Sequence, residues 1–235
     1  MKPYIIVGLL FFTYLTGSTQ GKGYSGGFQL KTMLGSGVFT NDPITASTDS
    51  VNIQIQQKFG YVFGMTIRKQ FNKTLAIESG LRFAQRNYST SIDSTLASYS
   101  GQIDYRIIAY EIPIKALVRL RSSDNSFFNV ALGAQLDLYP SDVFANNYEW
   151  QVEILRKSWV QGSFIANLGW EIHPVRMGTF YAGLSYNQPF IDPFRATVGE
   201  GNANFGIVSM SQTGTYFALD FRYYFEDKNQ KKNEW

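Results

Sequence analysis

Long segments in which apolar and polar side chains alternate one for one constrain this chain more than any other feature. In residues 108–121, Ile108, Tyr110, Ile112, Ile114, Ala116, Val118 and Leu120 alternate with a set that includes Glu111, Pro113, Lys115, Arg119 and Arg121. A strand sends successive side chains to opposite faces, so period two sorts this stretch into one greasy and one ionic face, whereas a helix smears it around its circumference. The pattern recurs in about eight segments, approximately 26–39, 57–71, 75–88, 103–121, 127–139, 159–173, 179–188 and 215–225. Most exceed the ~5–6 residues of a usual globular strand and reach the ~9–11 that a tilted membrane strand needs.

The connections alternate in length. Short turns rich in Asn, Asp, Ser or Pro lie at 72–74, 122–126 and 173–178, while longer links run at about 40–56, 89–102, 140–158 and 189–214. That order is the one found in bacterial outer-membrane barrels, with short periplasmic turns and longer outer loops. The expected fold is therefore all-β, an eight-stranded antiparallel up-and-down transmembrane β-barrel with both termini periplasmic.

Alternation alone does not say which face points inward, because a soluble barrel of the lipocalin kind shows the same pattern with the faces exchanged. Small residues favour an inward polar face: Gly64, Gly80, Gly133, Gly169 and Gly183 share it near mid-strand, where a narrow lumen is crowded. Bends or bulges at these glycines are the plainer alternative. Aromatics give a second sign, with Phe71, Phe127, Trp170, Phe180 and Phe225 near one rim and Tyr88, Tyr105, Tyr139, Trp159 and Tyr186 near the other. Two aromatic girdles mark membrane interfaces. Pro113 lacks a ladder donor, so a local bulge is expected there.

Composition agrees with β-structure near lipid. Charged residues make up 17% of the chain, aromatics 16%, and there are 21 glycines; soluble domains average roughly 25% charged. A net charge of +3 with no basic stripe argues against nucleic acid as a partner. Cys is absent, which removes disulfides, thiolate metal sites, a cysteine nucleophile and an acyl anchor on Cys. Residues 1–20 read as a secretory signal peptide, with a basic start, an apolar stretch from Tyr4 to Leu15 and cleavage between Gly17 and Gly23. Residues 21–225 form the barrel domain and 226–235 a polar C-terminal tail in the periplasm.

The stretch YEIPIKALVRL at 110–120 resembles the fourth strand of PorT-like outer-membrane β-barrels of the Bacteroidota. There a similar EIP segment is followed by a short turn and a Gly-containing strand, as in SFFNVALGAQLDL at 126–138. The resemblance covers most of the chain after the signal and implies an eight-stranded outer-membrane barrel. Some relatives assist protein secretion by the type IX system and many have no assigned role. Such chains commonly end on an aromatic of the last strand, which FRYYF at 221–225 supplies, yet the polar tail follows here.

Catalysis finds little support in the residues. The single His, His173, lies beside Pro174 in a short turn, on the rim opposite the one where barrel proteases and lipid deacylases place their base. The inward-parity charges Lys31, Arg68, Glu78, Arg82, Glu111, Lys115, Arg119, Asp137, Glu171, Asp220 and Arg222 form the candidate interior network; Arg86 shares their face. In a narrow lumen such charges neutralise one another by pairing, and a proton path or narrow pore is the alternative. No phosphate loop, calcium loop or metal-ligand spacing is present, so no cofactor is expected.

The last outer link carries Phe190, Ile191, Phe194, Phe205, Ile207, Val208 and Met210, a large apolar load that makes it the candidate partner-contact loop. A plug over the barrel mouth, or an upward extension of the last strand, is the alternative; Tyr148, Trp150, Val152 and Ile154 pose the same choice. The expected function is that of a non-enzymatic structural or accessory subunit of an outer-membrane complex, such as a secretion or surface-assembly machine. Its expected partners are outer-membrane lipid and other proteins of that complex. A narrow pore for ions or small solutes is the second reading, and an envelope enzyme the third.

Overall fold

The computed structural model describes residues 23–35, 43–47, 51–94, 99–147, 150–174, 177–200 and 206–225. The expected signal segment and polar tail lie outside the described residues. The strands are β1 (Tyr24–Met33), β2 (Ile44–Ser47), β3 (Val51–Gln57), β4 (Gly60–Gln70), β5 (Leu75–Ser94), β6 (Tyr99–Ser123), β7 (Ser126–Leu138), β8 (Val143–Asn146), β9 (Trp150–Arg156), β10 (Val160–Ile172), β11 (Thr179–Pro189), β12 (Phe194–Glu200), β13 (Gly206–Gln212) and β14 (Tyr216–Tyr224). Among the described residues there are thus fourteen strands, not eight.

The long alternating segments supply β1, β4, β5, β6, β7, β10, β11 and β14. Each pairs antiparallel with the next in that series. A further ladder, Gly27↔Tyr224 to Met33↔Ala218, joins β1 to β14, so the ring of pairings closes on itself. The other six strands lie in stretches expected to be loops. Their own period two explains why: Val51, Ile53 and Ile55 alternate with Asn52, Gln54 and Gln56, and Trp150, Val152 and Ile154 with Gln151, Glu153 and Leu155. β2 and β3 continue the sheet along the upper part of β5. β13, β12, β9 and β8 form a separate four-stranded sheet. The expected link at 89–102 is largely strand as well, because β5 and β6 stay paired as far as Ser94↔Tyr99.

The exposed wall settles which face points outward. Phe63, Leu81, Ile114, Leu132, Leu168 and Phe221 are each about half exposed, while Gln29, Lys31, Glu78, Glu111, Asp137 and Asp220 are buried. Apolar surface covers the outside of the ring, far beyond the scattered apolar residues of a soluble surface. The inward-apolar arrangement of a soluble ligand-binding barrel is therefore excluded.

Higher up, the same faces exchange their chemistry without changing parity. On β6 the outward positions are Gln102, Asp104 and Arg106, then Ile108, Tyr110, Ile112, Ile114, Ala116, Val118 and Leu120; the inward ones are Ile103, Tyr105, Ile107 and Ala109, then Glu111, Lys115 and Arg119. On β5 the inward row likewise passes from Glu78, Arg82 and Arg86 to Tyr88 and Ile92. A strand that is apolar outside along one part and apolar inside along the next crosses a boundary between lipid and water. From Ile108 to Leu120 the rise is ~40 Å at ~3.3 Å per residue, or ~28 Å across the bilayer at a ~45° tilt, close to the ~25 Å band of such barrels.

Above that boundary the two sheets face each other over an apolar core. Ile53, Ile55, Tyr88, Ile92, Ile103, Tyr105 and Ile107 meet Trp150, Val152, Ile154, Phe194, Ala196 and Val198. Tyr88, Tyr105 and Tyr139 belong to this buried core, so they are not part of an outer girdle; parity puts them inward. The outward aromatics near that level are Tyr61, Phe63, Phe83 and Tyr110, whose rings contact in series, with exposed Phe59 and Trp159. At the other rim Phe28, Phe71, Trp170, Phe180 and Phe225 are exposed, whereas Phe127 turns inward beneath the Arg119 guanidinium.

Pro113 does not bulge. The β5–β6 register is unchanged from Ser79↔Ile114 to Arg82↔Glu111, with only the intervening pairs unbridged. The Ser79 hydroxyl donates to the Pro113 carbonyl at 2.8 Å, and the strand takes in the proline without an extra residue.

Candidate functional site

The ladder register itself puts opposite charges side by side in the lumen. Glu78 lies across from Arg68 on β4 and Lys115 on β6, Arg82 from Glu111, and Lys31 from Asp220. Cross-strand neighbours stand within reach of one another's side chains, so the Glu78 and Arg82 contacts follow from parity plus register.

Three carboxylates organise the half of the lumen nearer the short turns. Glu171 accepts from Arg68 Nη1 and Asn129 Nδ2, each at 2.7 Å, and from Arg119 Nη2 at 2.9 Å. Glu78 receives Arg222 Nη1 at 2.8 Å, Arg68 Nη2 at 3.4 Å, Lys115 and the Tyr224 hydroxyl. Asp220 is held by Arg222, Gln29 Nε2 at 2.7 Å and Asn167 Nδ2 at 3.0 Å. The Arg68 guanidinium stacks 3.9 Å over the Tyr224 ring and that of Arg222 4.3 Å over Tyr181. Room for Tyr181 comes from the facing pair Gly169↔Gly183, where an added Cβ would lie 2.6 and 2.5 Å from its hydroxyl.

Further up, Glu111 and Asp137 face each other directly across β6 and β7, a like-charge pair that needs a cation between its members. Arg86 supplies it, with Nη2 3.4 Å from Glu111 Oε1 and 3.9 Å from Asp137 Oδ1. Arg82 adds a contact at 3.2 Å to Glu111, and the Tyr216 hydroxyl donates to Glu111 at 3.1 Å. Asp137 also accepts from Gln135 Nε2 at 2.6 Å and Ser163 Oγ at 2.8 Å. Arg86 was absent from the expected network although it is fully buried; its parity, four residues beyond Arg82, was the available sign.

All eleven expected interior charges are thus buried and share one lumen. Lys31 differs from the rest, making no ion pair among the described residues. His173, partly exposed at the short-turn mouth, has Nε2 2.7 Å from Glu171 Oε1 and 2.8 Å from Arg119 Nη2, with Nδ1 3.1 Å from Thr179 Oγ1. It is tied into the network through Glu171 and Arg119, with the Thr179 hydroxyl on its other ring nitrogen.

The expected contact loop divides. Phe190 and Ile191 are exposed, but Phe194 is buried against Tyr139 with ring centroids 4.7 Å apart. Val208 and Met210 pack on the upper core, Ile207 is a β13 position, and Phe205 lies outside the described residues. Trp150, Val152 and Ile154 are buried in the same core, and Tyr148 lies outside the described residues. Among the described residues no group of three or more His, Asp or Glu side chains is placed to hold a metal ion.

The sequence profile of a family described as "Outer membrane protein beta-barrel domain" matches residues 20–226. Among solved structures, the outer membrane protein OprG from Pseudomonas aeruginosa is similar at a TM-score of 0.54 and 14% identity, over 89% of this chain and 100% of OprG. The translocator domain of autotransporter NalP from Neisseria meningitidis aligns at a TM-score of 0.31 and 12% identity, over 94% of each chain. The beta domain of the Bordetella autotransporter BrkA aligns at 0.36 and 11%, over 86% of this chain and 99% of that one. No curated protein matches.

Proposed function

Because the chain belongs to the outer membrane protein beta-barrel domain family, we propose that it is a sealed, non-enzymatic eight-stranded barrel serving as a structural or accessory subunit of an outer-membrane complex. Both termini and the short turns lie in the periplasm, after removal of the N-terminal signal, and the paired sheets stand outside the cell. The observation that carries this reading is the filled interior. Ion pairs occupy the lower lumen, and Met33, Tyr139, Phe194 and Tyr216 bury themselves across the outer end. An eight-stranded ring is just wide enough to be packed by side chains, and among the described residues these buried side chains supply that packing. Work is then done by surfaces, namely the lipid-facing wall and the outer sheets. The resemblance at 110–120 supports membership of the PorT-like group and a role beside a secretion or surface-assembly machine.

Two measurements test it. Extraction of the tagged protein from native outer membranes in mild detergent, with sizing and mass spectrometry, is expected to return a stoichiometric protein partner. Reconstitution in planar bilayers is expected to give no unitary conductance. A lone barrel that conducts ions would replace the accessory role by the narrow-pore reading.

A further inference from the structure

Where β6 leaves the ring of pairings, its outer flank is open. The last β6–β7 pair is Tyr110↔Leu138, and above it β8 runs alongside β6 but belongs to the other sheet, with no ladder between them. The seam holds a cleft of about 330 Å³ lined by Asp104, Tyr105, Arg106 and Ile108 on one side and Ser141, Val143, Phe144 and Ala145 on the other. Its depth is set by the chemistry of β6. Ile108 begins the lipid-facing row and Arg106 is the first outward residue above it, so the cleft straddles the level of the headgroups.

Charge and shape select what fits. Lys58 Nζ lies 3.3 Å from Asp104 Oδ1. Hydrogen bonds from Ser89 and Gln102, with Lys58 alongside, hold the Asp104 carboxyl below its usual range, so that carboxylate is ionised and engaged. Arg106 is exposed and makes no ion pair among the described residues, and it is the cation of the cleft lining beside Asp104, which Lys58 already engages. Below it the surface continues without a break into the wall through Ile108 and Tyr110, and Phe144 projects, 61% exposed, from the opposite side. A free guanidinium presents a planar fork suited to phosphate oxygens. An exposed phenyl ring and an aliphatic floor suit the first carbons of an acyl chain.

We propose that this cleft binds the phosphorylated headgroup of an outer-leaflet lipid, with Arg106 on the phosphate and Phe144 and Ile108 against the adjoining acyl chain. The inference rests on the transmembrane orientation proposed above. Such a lipid fills the seam between the ring and the outer sheet, so bound lipid links the two layers.

The test uses the full chain inserted in phosphatidylcholine vesicles containing lipid A, a diphosphorylated glycolipid, then extracted into neutral detergent and weighed by native mass spectrometry. Wild-type protein is expected to retain one lipid A. Arg106→Gln and Phe144→Ser are each expected to lower retention about tenfold, the loss of one charge-assisted contact or one apolar wall. Dephosphorylated lipid A is expected not to be retained, and excess inorganic phosphate not to displace the intact lipid. Equal retention by Arg106→Gln, or of the dephosphorylated lipid, overturns the proposal, as does displacement by phosphate alone, which reduces the site to an ion site. Gel mobility of the folded barrel is read in parallel. Failure of the wild-type chain to insert would refute the transmembrane reading, whereas insertion without lipid retention would refute only the cleft.

Discussion

Glu78→Ala is expected to destabilise the folded barrel by about 3–5 kcal/mol, the usual cost of removing one partner from a buried ionic cluster. Glu78 is a hub for Lys115, Arg222, Arg68 and the Tyr224 hydroxyl, and none of those cations can reach water when it goes. The balance around it amplifies the effect. Among the described residues the lumen buries seven Lys and Arg side chains (Lys31, Arg68, Arg82, Arg86, Lys115, Arg119, Arg222) against five carboxylates (Glu78, Glu111, Asp137, Glu171, Asp220). Removing Glu78 widens that excess of positive charge, whereas Lys31→Met narrows it and breaks no ion pair. Lys31→Met is therefore expected to leave stability unchanged or raise it. Urea titration of tryptophan fluorescence in reconstituted vesicles measures both, and a Glu78→Ala loss under ~1 kcal/mol, or an equal loss from Lys31→Met, would sink the idea that this network holds the ring together.

Leu132→Arg is expected to cost about 2–4 kcal/mol although Leu132 is half exposed, because its exposure is to the bilayer core and not to water. Gln54→Arg, also outward-facing but on β3 above the boundary, is expected to change stability by under ~0.5 kcal/mol, as ordinary surface substitutions do. Exposure alone predicts the same tolerance at both positions. The difference measures where lipid ends. If Leu132→Arg proves as harmless as Gln54→Arg, the ring wall faces water and the boundary read from β6 is wrong.

Much of this architecture was legible in the sequence because period two is a strong signal where a ring wall separates lipid from a charged lumen. Ile108 to Leu120 shows both faces at once, and the inward charges follow from parity. The signal weakened where the chemistry of the faces exchanges. In Val51, Ile53, Ile55 and in Phe194, Ala196, Val198 the alternation persists, but the strands are short and the apolar side turns inward, so they resembled greasy loops. Long loops with their own period are better read as further sheet. Partner choice inside the lumen was not legible. Glu111 lies opposite both Arg82 and Asp137, and only the register across three strands shows that Arg86 must bridge two carboxylates. Likewise, position along the strands placed Tyr88, Tyr105 and Tyr139 at a rim, whereas the second sheet that covers them comes from distant parts of the chain, including Phe194 and Val198.

The transmembrane claim meets its most direct test in single-cysteine labelling, because the natural chain has no Cys to interfere. Cysteines placed singly at Gln54, Gln102, Ile114, Asn72 and Asp124 would be exposed to a membrane-impermeant maleimide on intact cells, and then again after the envelope is opened. Expected is labelling at Gln54 and Gln102 on intact cells, at Asn72 and Asp124 only after opening, and at Ile114 only with a lipid-soluble reagent. Labelling of Asn72 and Asp124 on intact cells with Gln54 and Gln102 protected would turn the barrel upside down, and ready labelling of Ile114 by the impermeant reagent would remove it from the membrane.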